Sequence, residues 1–283
     1  MFRWLRIWIG GGRPLPEEPA PAPEPAAPLS PWARSARLAG VLLVGLVAVG
    51  IAASASWYFL SHRHFDWAVI VVAGDWHAHD GSPSEAFDNA RRDVADELAD
   101  IGFDKKNIRQ FSQRPQNYPH VLMGDGQTIG DNLRDLAAHT HGGCLLYFSS
   151  HGTPGGLVLG DIVVKPEDVA GLVDDACGDR PTVVIVSACF SGTFVPALKA
   201  ANRMILTAAR ADRTSFGCGQ DDKYPYFDTC VLAELKDAGS FPRLADRVRD
   251  CVSKREAETG MTPPSEPQVS IAPQLAAKLP TWN

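Results

Sequence analysis

The sequence lacks the short motifs of several large enzyme classes. It contains no Gly-x-Ser-x-Gly, the turn in which many serine hydrolases hold their nucleophile. Residues 124–126 (Gly-Asp-Gly) are not followed by the Lys-Ser/Thr pair of a phosphate-binding loop. His77 and His79 form a His-x-His pair, but no second cluster follows at a metal-binding spacing, so we interpret the pair as part of a solvated loop. We therefore expect a protein that works without a metal or nucleotide cofactor.

Positive charge is also scarce. The formal net charge is −6, and residues 61–283 hold 22 basic and 30 acidic side chains, a formal charge of −8. An acidic body repels a phosphate backbone, so we expect no nucleic-acid partner. With 283 residues, 45% of them hydrophobic and 21% charged, the chain has the composition of a folded protein with extra segments.

Charged side chains are missing from residues 38–60, a run of 23 residues rich in Leu, Val, Ala and Gly. A helix of this length spans the roughly 30 Å apolar slab of a bilayer, so we predict a transmembrane helix. Residues 1–37 contain a Pro-rich segment and are predicted to form a flexible arm. Because Arg34 and Arg37 directly precede the run, the positive-inside rule predicts a cytoplasmic N-terminus.

Two alternatives to a membrane anchor stay open in the sequence. Residues 53–55 (Ala-Ser-Ala) have the small-x-small form of a signal-peptidase site, so the run also fits a cleaved export signal. A buried helix of a globular core is the other alternative, and the absence of a polar face on the run argues against it.

The remaining chain alternates between strand and helix patterns. Such alternation predicts a mostly parallel sheet with helices on both faces. Residues 82–85 (Ser-Pro-Ser-Glu) have the form of a capping box, which predicts a helix start there and a helix that ends near residue 101. The other predicted elements are strands at 67–73, 108–111, 145–150, 183–188 and 203–209, a loop at 112–126, helices at 128–139, 166–177, 227–238 and 241–258, and an extended tail at 263–283.

Two of the predicted strands end in small-residue turns that each carry one reactive side chain. His151 follows the strand at 145–150, and Cys189 follows the strand at 183–188. If these strands are parallel neighbours, their ends lie about 4.8 Å apart at the sheet edge where open α/β sheets bind ligands. A thiol becomes a strong nucleophile when it ionises, which an adjacent imidazole or helix N-terminus promotes. The pattern indicates a cysteine nucleophile with a histidine base.

Small residues beside this pair suit an oxyanion-binding turn. The N–H groups of Gly152 and Cys189 are placed to donate to the oxyanion of an acyl-transfer intermediate. From spacing alone, an ordinary buried cysteine and a capped turn histidine explain the pattern equally well. The residues by themselves leave that choice open.

The wider sequence resembles the legumain-like (C13) family of cysteine peptidases. The segments SSHGTPGGLVL, VVIVSACFSG and LTAARADRTSFGCG carry the resemblance, which runs from about residue 66 to 238. It implies a caspase-like fold, a three-layer sandwich with a central mostly parallel sheet, for a domain at 64–262. It also implies His151 and Cys189 as the catalytic residues. The apolar run ahead of the domain is similar to that of bacterial membrane-anchored members, which implies a single-pass inner-membrane protein with a periplasmic catalytic domain.

Some positions depart from the pocket with which the family reads asparagine. Ala86 and Phe87 stand where the resemblance implies an Arg-His pair, and Ser187 stands in place of a glutamate. Asp228 lies near the family's pocket acid, where it favours a basic or amide substrate side chain or is simply a helix N-terminal charge. The substrate-binding residues implied by the resemblance are Ser187, Thr214, Ser215 and Asp228.

The chain has six cysteines, so five remain if Cys189 stays reduced for catalysis. An odd number does not pair completely in a compartment where disulfides persist. Cys218 and Cys230 bracket a loop and are the first pair to test, while Cys144 and Cys177 are expected to be buried free thiols.

These features predict a membrane-anchored cysteine endopeptidase that cleaves a protein or peptide substrate through a thioester acyl-enzyme. Two alternatives remain. One is a transpeptidase or transamidase of the same family, in which an amine resolves the thioester. The other is a non-catalytic peptide-binding module on the same fold. Oligomeric state has no signal in the sequence.

Overall fold

The computed structural model describes residues 32, 44–51, 54 and 64–282 of the chain. The chain divides into two compact units, Met1–Leu60 and Ser61–Asn283. In the first unit, residues 44–51 are helical. Most of the predicted arm at 1–37 and the rest of the predicted span at 38–60, apart from residue 54, lie outside the described residues. Among the helices that are described, none combines the length and the apolarity needed to cross a bilayer.

The second unit contains the elements that position the candidate site. Its strands are β1 (Ala68–Ala73), β2 (Ile108–Ser112), β3 (Leu122–Met123), β4 (Cys144–Ser149), β5 (Gly152–Thr153), β6 (Gly156–Leu159), β7 (Ile162–Val164), β8 (Thr182–Ser187), β9 (Arg203–Thr207) and β10 (Gln268–Ile271). Its α-helices are α1 (Ala86–Asp100), α2 (Gly126–His139), α3 (Pro166–Cys177), α4 (Phe194–Leu198), α5 (Tyr226–Ala238) and α6 (Phe241–Thr259).

Seven strands form the central sheet in the order β10-β9-β8-β4-β1-β2-β3. All neighbouring strands from β9 to β3 are parallel, and only the pairing of β10 with β9 in this sheet is antiparallel. A small antiparallel sheet of β5, β6 and β7 follows β4 directly. The prediction of an α/β domain with a mostly parallel sheet is confirmed, and β4 and β8 are adjacent as expected.

Helices cover both faces of the central sheet, because alternate strand residues point to opposite sides. Val69 and Val71 pack in a cluster with residues of α1, α5 and α6. Ile70 and Val72 pack in a second cluster with residues of α2, α3 and α4. Every residue of β1, β4 and β8 is buried. Helices on both faces explain why these strands are mostly apolar in the sequence.

The predicted capping box at 82–85 is wrong. Helix α1 begins at Ala86, and its N-cap residue Glu85 makes no side-chain capping bond. The Ser82 hydroxyl instead donates to Asp80 Oδ1 at 2.6 Å, in the loop ahead of the helix. A serine held by a nearby aspartate is no longer available to cap a helix.

The predicted tail at 263–283 is more ordered than expected. Its residues Gln268–Ile271 form β10, which pairs with the backbone of β9 at the edge of the sheet. Near the end of the chain, Trp282 Nε1 donates to Leu235 O at 2.8 Å, which attaches the tail to α5. An open edge strand offers unpaired backbone groups, and this segment satisfies them.

The disulfide pairing also differs from the sequence-based expectation. Cys144 and Cys177 form a disulfide between β4 and α3 instead of remaining free thiols. Cys230 pairs with Cys251, which joins α5 to α6, and not with Cys218. The α5 and α6 helices are consecutive and in contact, so Cys251 is a nearer partner for Cys230 than a residue of the preceding loop.

Candidate active site

The candidate site lies where β4 and β8 end side by side. Ser149 at the end of β4 is opposite Ser187 at the end of β8. His151 and Cys189 each follow two residues later, and both line one cavity of about 430 Å³. Residues 214–219 also line this cavity, which is completed by His79, Asp222, Tyr226 and Met261. The structure therefore brings together the two side chains that the strand ends were predicted to present.

The chain turns sharply after Cys189. Phe190 has left-handed backbone angles, with φ 57°, which cost a non-glycine residue on the order of 1–3 kcal/mol. Its N–H donates to Arg213 O at 2.8 Å, which holds the turn in place. The turn Ser191–Thr193 and the short helix α4 then carry the chain onward. Backbone strain next to a reactive side chain is a common feature of functional sites.

The sulfur of Cys189 has one neighbour that provides all of its polar contacts among the described residues. The N–H of Ser215 donates to Cys189 Sγ at 3.3 Å. The hydroxyl and the carbonyl oxygen of Ser215 each lie 3.6 Å from the same sulfur. An N–H in this position would stabilise negative charge on the sulfur.

His151 is half-buried, and its ring is fixed from two directions. Nε2 lies 3.0 Å from His77 O, an acceptor, so Nε2 carries the proton of the neutral ring. The Phe87 ring packs against the imidazole at 5.0 Å between centroids, with an angle of 80° between the planes. With Nε2 donating, Nδ1 is the nitrogen left to accept a proton. A general base needs one unprotonated ring nitrogen, and this tautomer leaves Nδ1 unprotonated.

Gly152 allows the two strand ends to approach closely. A Cβ atom at this position would lie 2.0 Å from Cys189 O and 3.0 Å from Ala188 Cβ. Real Cβ atoms do not approach backbone oxygen that closely, so any side chain here must move the turn that holds Cys189. Gly152 therefore determines the distance between the two turns that hold His151 and Cys189.

We expect Gly152→Ala to lower kcat/KM by about 10- to 100-fold, because a displacement near 1 Å at a reacting group costs on that order. Steady-state cleavage of a peptide substrate measures the effect. Gly155→Ala, in the same hairpin, is the matched control, because its Cβ would meet nothing closer than 3.6 Å. Equal activity of the two variants would contradict this role for Gly152.

Ser187 and Asp228 are not on the cavity wall, contrary to the substrate contacts expected of them. Asp228 is 0% exposed and Ser187 is 2% exposed. The carboxylate accepts hydrogen bonds from the Ser187 hydroxyl at 2.7 Å, from the Ser149 hydroxyl at 2.9 Å and from the Tyr147 hydroxyl. Burial raises the pKa of Asp228 to about 6, although these three hydrogen bonds oppose the rise. Asp228 thus joins the last residues of β4 and β8 beneath the site.

Of the other residues expected in the substrate pocket, some line the cavity and some are buried away from it. Thr214 and Ser215 line the cavity, as the resemblance implies. Ala86 and Phe87 are 0% and 2% exposed, so no side chain reaches a substrate from the place where the family's Arg-His pair would stand. Phe87 fills that space and supports the His151 ring instead.

The sequence patterns did not predict that two residues, Cys218 and His79, line the cavity. Cys218 lines it, although the spacing suggested a disulfide with Cys230. The His-x-His pair is split: His77 Nδ1 bonds to Asp75 Oδ1 at 2.7 Å, while His79 faces the cavity. No group of three or more potential metal ligands occurs within the described residues.

Comparisons with known proteins bear on the family and the fold of this chain. The model of the peptidase C13 family matches residues 66–240. No curated protein matches the chain. Among solved structures, the crystal structure of caspase-1 from Spodoptera frugiperda is similar, with a TM-score of 0.54 and 16% sequence identity. The likeness covers 74% of this chain and 87% of that chain, and at this identity it shows a caspase-like fold alone.

Proposed function

Because the chain belongs to the peptidase C13 family of cysteine peptidases, we propose that it is an endopeptidase with Cys189 as nucleophile and His151 as general base. One observation carries the proposal: the two side chains line a single cavity at the ends of adjacent parallel strands. The Nε2 hydrogen bond of His151 to a carbonyl adds support, since it leaves Nδ1 free for proton transfer.

In the proposed reaction, His151 Nδ1 takes the proton of the Cys189 thiol as the sulfur attacks the scissile carbonyl carbon. The N–H groups of Gly152 and Cys189 donate to the oxygen that becomes negative in the tetrahedral intermediate. The intermediate collapses when the C–N bond breaks, and His151 returns the proton to the leaving amine. Water then attacks the thioester, with His151 again as base, and releases the acid product and the free thiol.

We further propose that the cavity selects an uncharged, largely apolar substrate side chain. Phe216, Tyr226 and Met261 contribute apolar surface to it. The only carboxylate among its described lining residues, Asp222, accepts a hydrogen bond from the N–H of Gly219 at 2.8 Å. The buried acid Asp228 is out of reach of a substrate, so this residue gives no basis for reading a basic or amide side chain.

Anchoring by residues 38–60 also belongs to the proposal. It is supported by the uncharged run of 23 residues and by the arginines that precede it. The two disulfides of the domain suit an oxidising compartment such as the periplasm. We therefore propose a single-pass inner-membrane protein with a cytoplasmic N-terminus and a periplasmic peptidase domain.

A peptidyl electrophile tests the nucleophile directly. We expect the full chain in mild detergent to form a covalent adduct at Cys189, which peptide mapping by mass spectrometry locates. Cys218, in the same cavity, is an internal control, because burial raises the pKa of its thiol to about 11 and keeps it protonated at neutral pH. Failure to label Cys189 while Cys218 reacts would contradict the proposal. Profiling with a peptide library then tests the preference for apolar side chains.

A further inference from the structure

The two cysteines outside disulfides share one cavity. Cys144–Cys177 and Cys230–Cys251 account for four of the six cysteines. The remaining two, Cys189 and Cys218, are both half-buried and both line the cavity at the end of β8. Pairing of every other cysteine leaves the proposed nucleophile with a single free thiol as its neighbour.

We propose that Cys218 is a site of reversible oxidation, which forms a disulfide with Cys189 and holds the enzyme in an inactive, protected state. This inference rests on the proposed function, because it takes Cys189 as the reactive thiol. The oxidant belongs to the hydroperoxide class, and the reductant is a dithiol. No other thiol in the chain is available for this role, since the other four cysteines are bonded to each other.

The segment that carries Cys218 has the properties of a short adjustable loop. Residues 208–225 contain no helix and no strand. Gly217 has φ +84°, and Gly219 follows Cys218 directly, so glycine flanks the cysteine on both sides. Three backbone bonds hold this part of the loop: His79 N–H donates to Cys218 O at 3.3 Å, Tyr226 N–H donates to Phe216 O at 2.9 Å, and Asp222 N–H donates to Gly219 O at 3.3 Å. Such a loop is able to adjust its backbone when a sulfur–sulfur bond forms.

The environments of the two thiols give them different roles. Burial raises the pKa of Cys218 to about 11, and the nearby Cys189 and Asp222 contribute to the same shift. At neutral pH Cys218 is therefore a thiol and a slow first target for an oxidant. Cys189, activated by its base, reacts first, and Cys218 acts second as the resolving thiol.

The chemistry balances in two steps. The Cys189 sulfur attacks one oxygen of the hydroperoxide, the O–O bond breaks, and a sulfenic acid and one molecule of water or alcohol result. The Cys218 sulfur then attacks the sulfenic sulfur, the S–O bond breaks, and water leaves with the thiol proton. Two thiols lose two electrons in total, and the hydroperoxide gains them. A dithiol reverses the reaction by thiol–disulfide exchange and becomes a disulfide itself.

Resolution by Cys218 has a consequence for overoxidation. A sulfenic acid that meets no thiol proceeds to the sulfinic acid, which dithiols do not reduce. The neighbouring thiol therefore converts irreversible damage into a reversible block. Without Cys218, the same oxidant is expected to inactivate Cys189 permanently.

The test treats the full chain with hydrogen peroxide and then with dithiothreitol. In the wild type we expect a peptide pair linked through Cys189 and Cys218, together with activity that falls and then recovers about tenfold on reduction. In Cys218→Ser we expect a similar fall with no recovery and sulfinic acid at Cys189. Cys189→Ala should give no linked peptides.

Linked peptides are measured by mass spectrometry and need no peptidase activity, so the two proposals fail separately. A linked pair in a protein that shows no peptidase activity would contradict the proposed function and still support the oxidation of Cys218. An active protein that forms no linked pair and recovers no better than Cys218→Ser would overturn the oxidation site. The peptide map of the wild type shows whether Cys189 and Cys218 form a disulfide even if the Cys218→Ser variant does not fold.

Discussion

Cys189→Ala is expected to abolish peptide cleavage, with a fall in kcat/KM on the order of 10⁴-fold or more, because no other side chain replaces the nucleophile. The fold should survive the change. The thiol is only half-buried, and within the part of the chain that the structure describes its polar contacts are with Ser215 alone. Initial rates on a fluorogenic peptide, compared with thermal unfolding of both proteins, measure the two effects separately.

Cys218→Ala is the matched control, since it removes the other free thiol of the same cavity. Under reducing conditions it should keep kcat within about threefold of the wild type, because Cys218 takes no part in the proposed bond-making and bond-breaking steps. A Cys189→Ala protein that retained more than about a tenth of the activity would exclude Cys189 as the nucleophile. A correctly folded wild type without any activity would favour the peptide-binding module over the enzyme.

The central strands could be predicted because burial on both faces makes most of their residues apolar. β1 is apolar throughout, β4 and β8 carry small polar residues only near their ends apart from Tyr147, and all three strands are fully buried in the structure. Once two such strands are parallel neighbours, the residues after them must meet at one edge. For this reason the sequence alone predicted that His151 and Cys189 lie close together, and both line one cavity in the structure.

Pairing between cysteines could not be predicted, because it depends on which helix faces contact each other. Cys230 and Cys251 are 21 residues apart and lie on consecutive helices, and nothing in that spacing distinguishes Cys251 from Cys218 as the partner. The same limit applies to Cys144 and Cys177, whose contact arises only when α3 packs beside the start of β4. Tertiary packing decides these bonds.

The buried position of Asp228 also could not be predicted from the sequence. Its position matched a pocket acid, but the first turn of α5 buries it under the sheet edge and not in the cavity. Two of its donors, Ser149 and Ser187, stand two residues before His151 and Cys189 respectively. A carboxylate that bonds the ends of both strands holds together the turns that carry His151 and Cys189. We therefore propose Asp228 as a positioning residue for the proposed catalytic pair.

The raised pKa of Asp228 predicts how stability changes with pH. Its folded-state pKa is about 6, against an ordinary value of 3.8. Because the folded value is the higher one, the stabilising contribution is fully present below about pH 3.8 and is lost as the pH rises through 6. Asp228 is completely buried, so solvent does not screen the effect. The loss amounts to about 3 kcal/mol of unfolding free energy.

Asp228→Asn removes the titration and keeps a side chain of the same shape. We expect the unfolding free energy of Asp228→Asn, relative to wild type, to increase by about 3 kcal/mol between pH 4 and pH 7.5. Urea unfolding of both proteins across this range measures the difference. Asp237→Asn, an exposed position on the same helix, is the control and should show no such trend.

Asp228→Ala separates the charge from the hydrogen bonds. It leaves the hydroxyls of Tyr147, Ser149 and Ser187 buried without their acceptor and adds a small cavity. We expect a loss of about 3–5 kcal/mol at pH 4, where Asp228→Asn is close to wild type. A constant difference between wild type and Asp228→Asn at all pH values would show that the carboxyl titrates normally. The positioning role would then rest on the hydrogen bonds alone, and Asp228→Ala would still have to lower kcat more than Asp228→Asn.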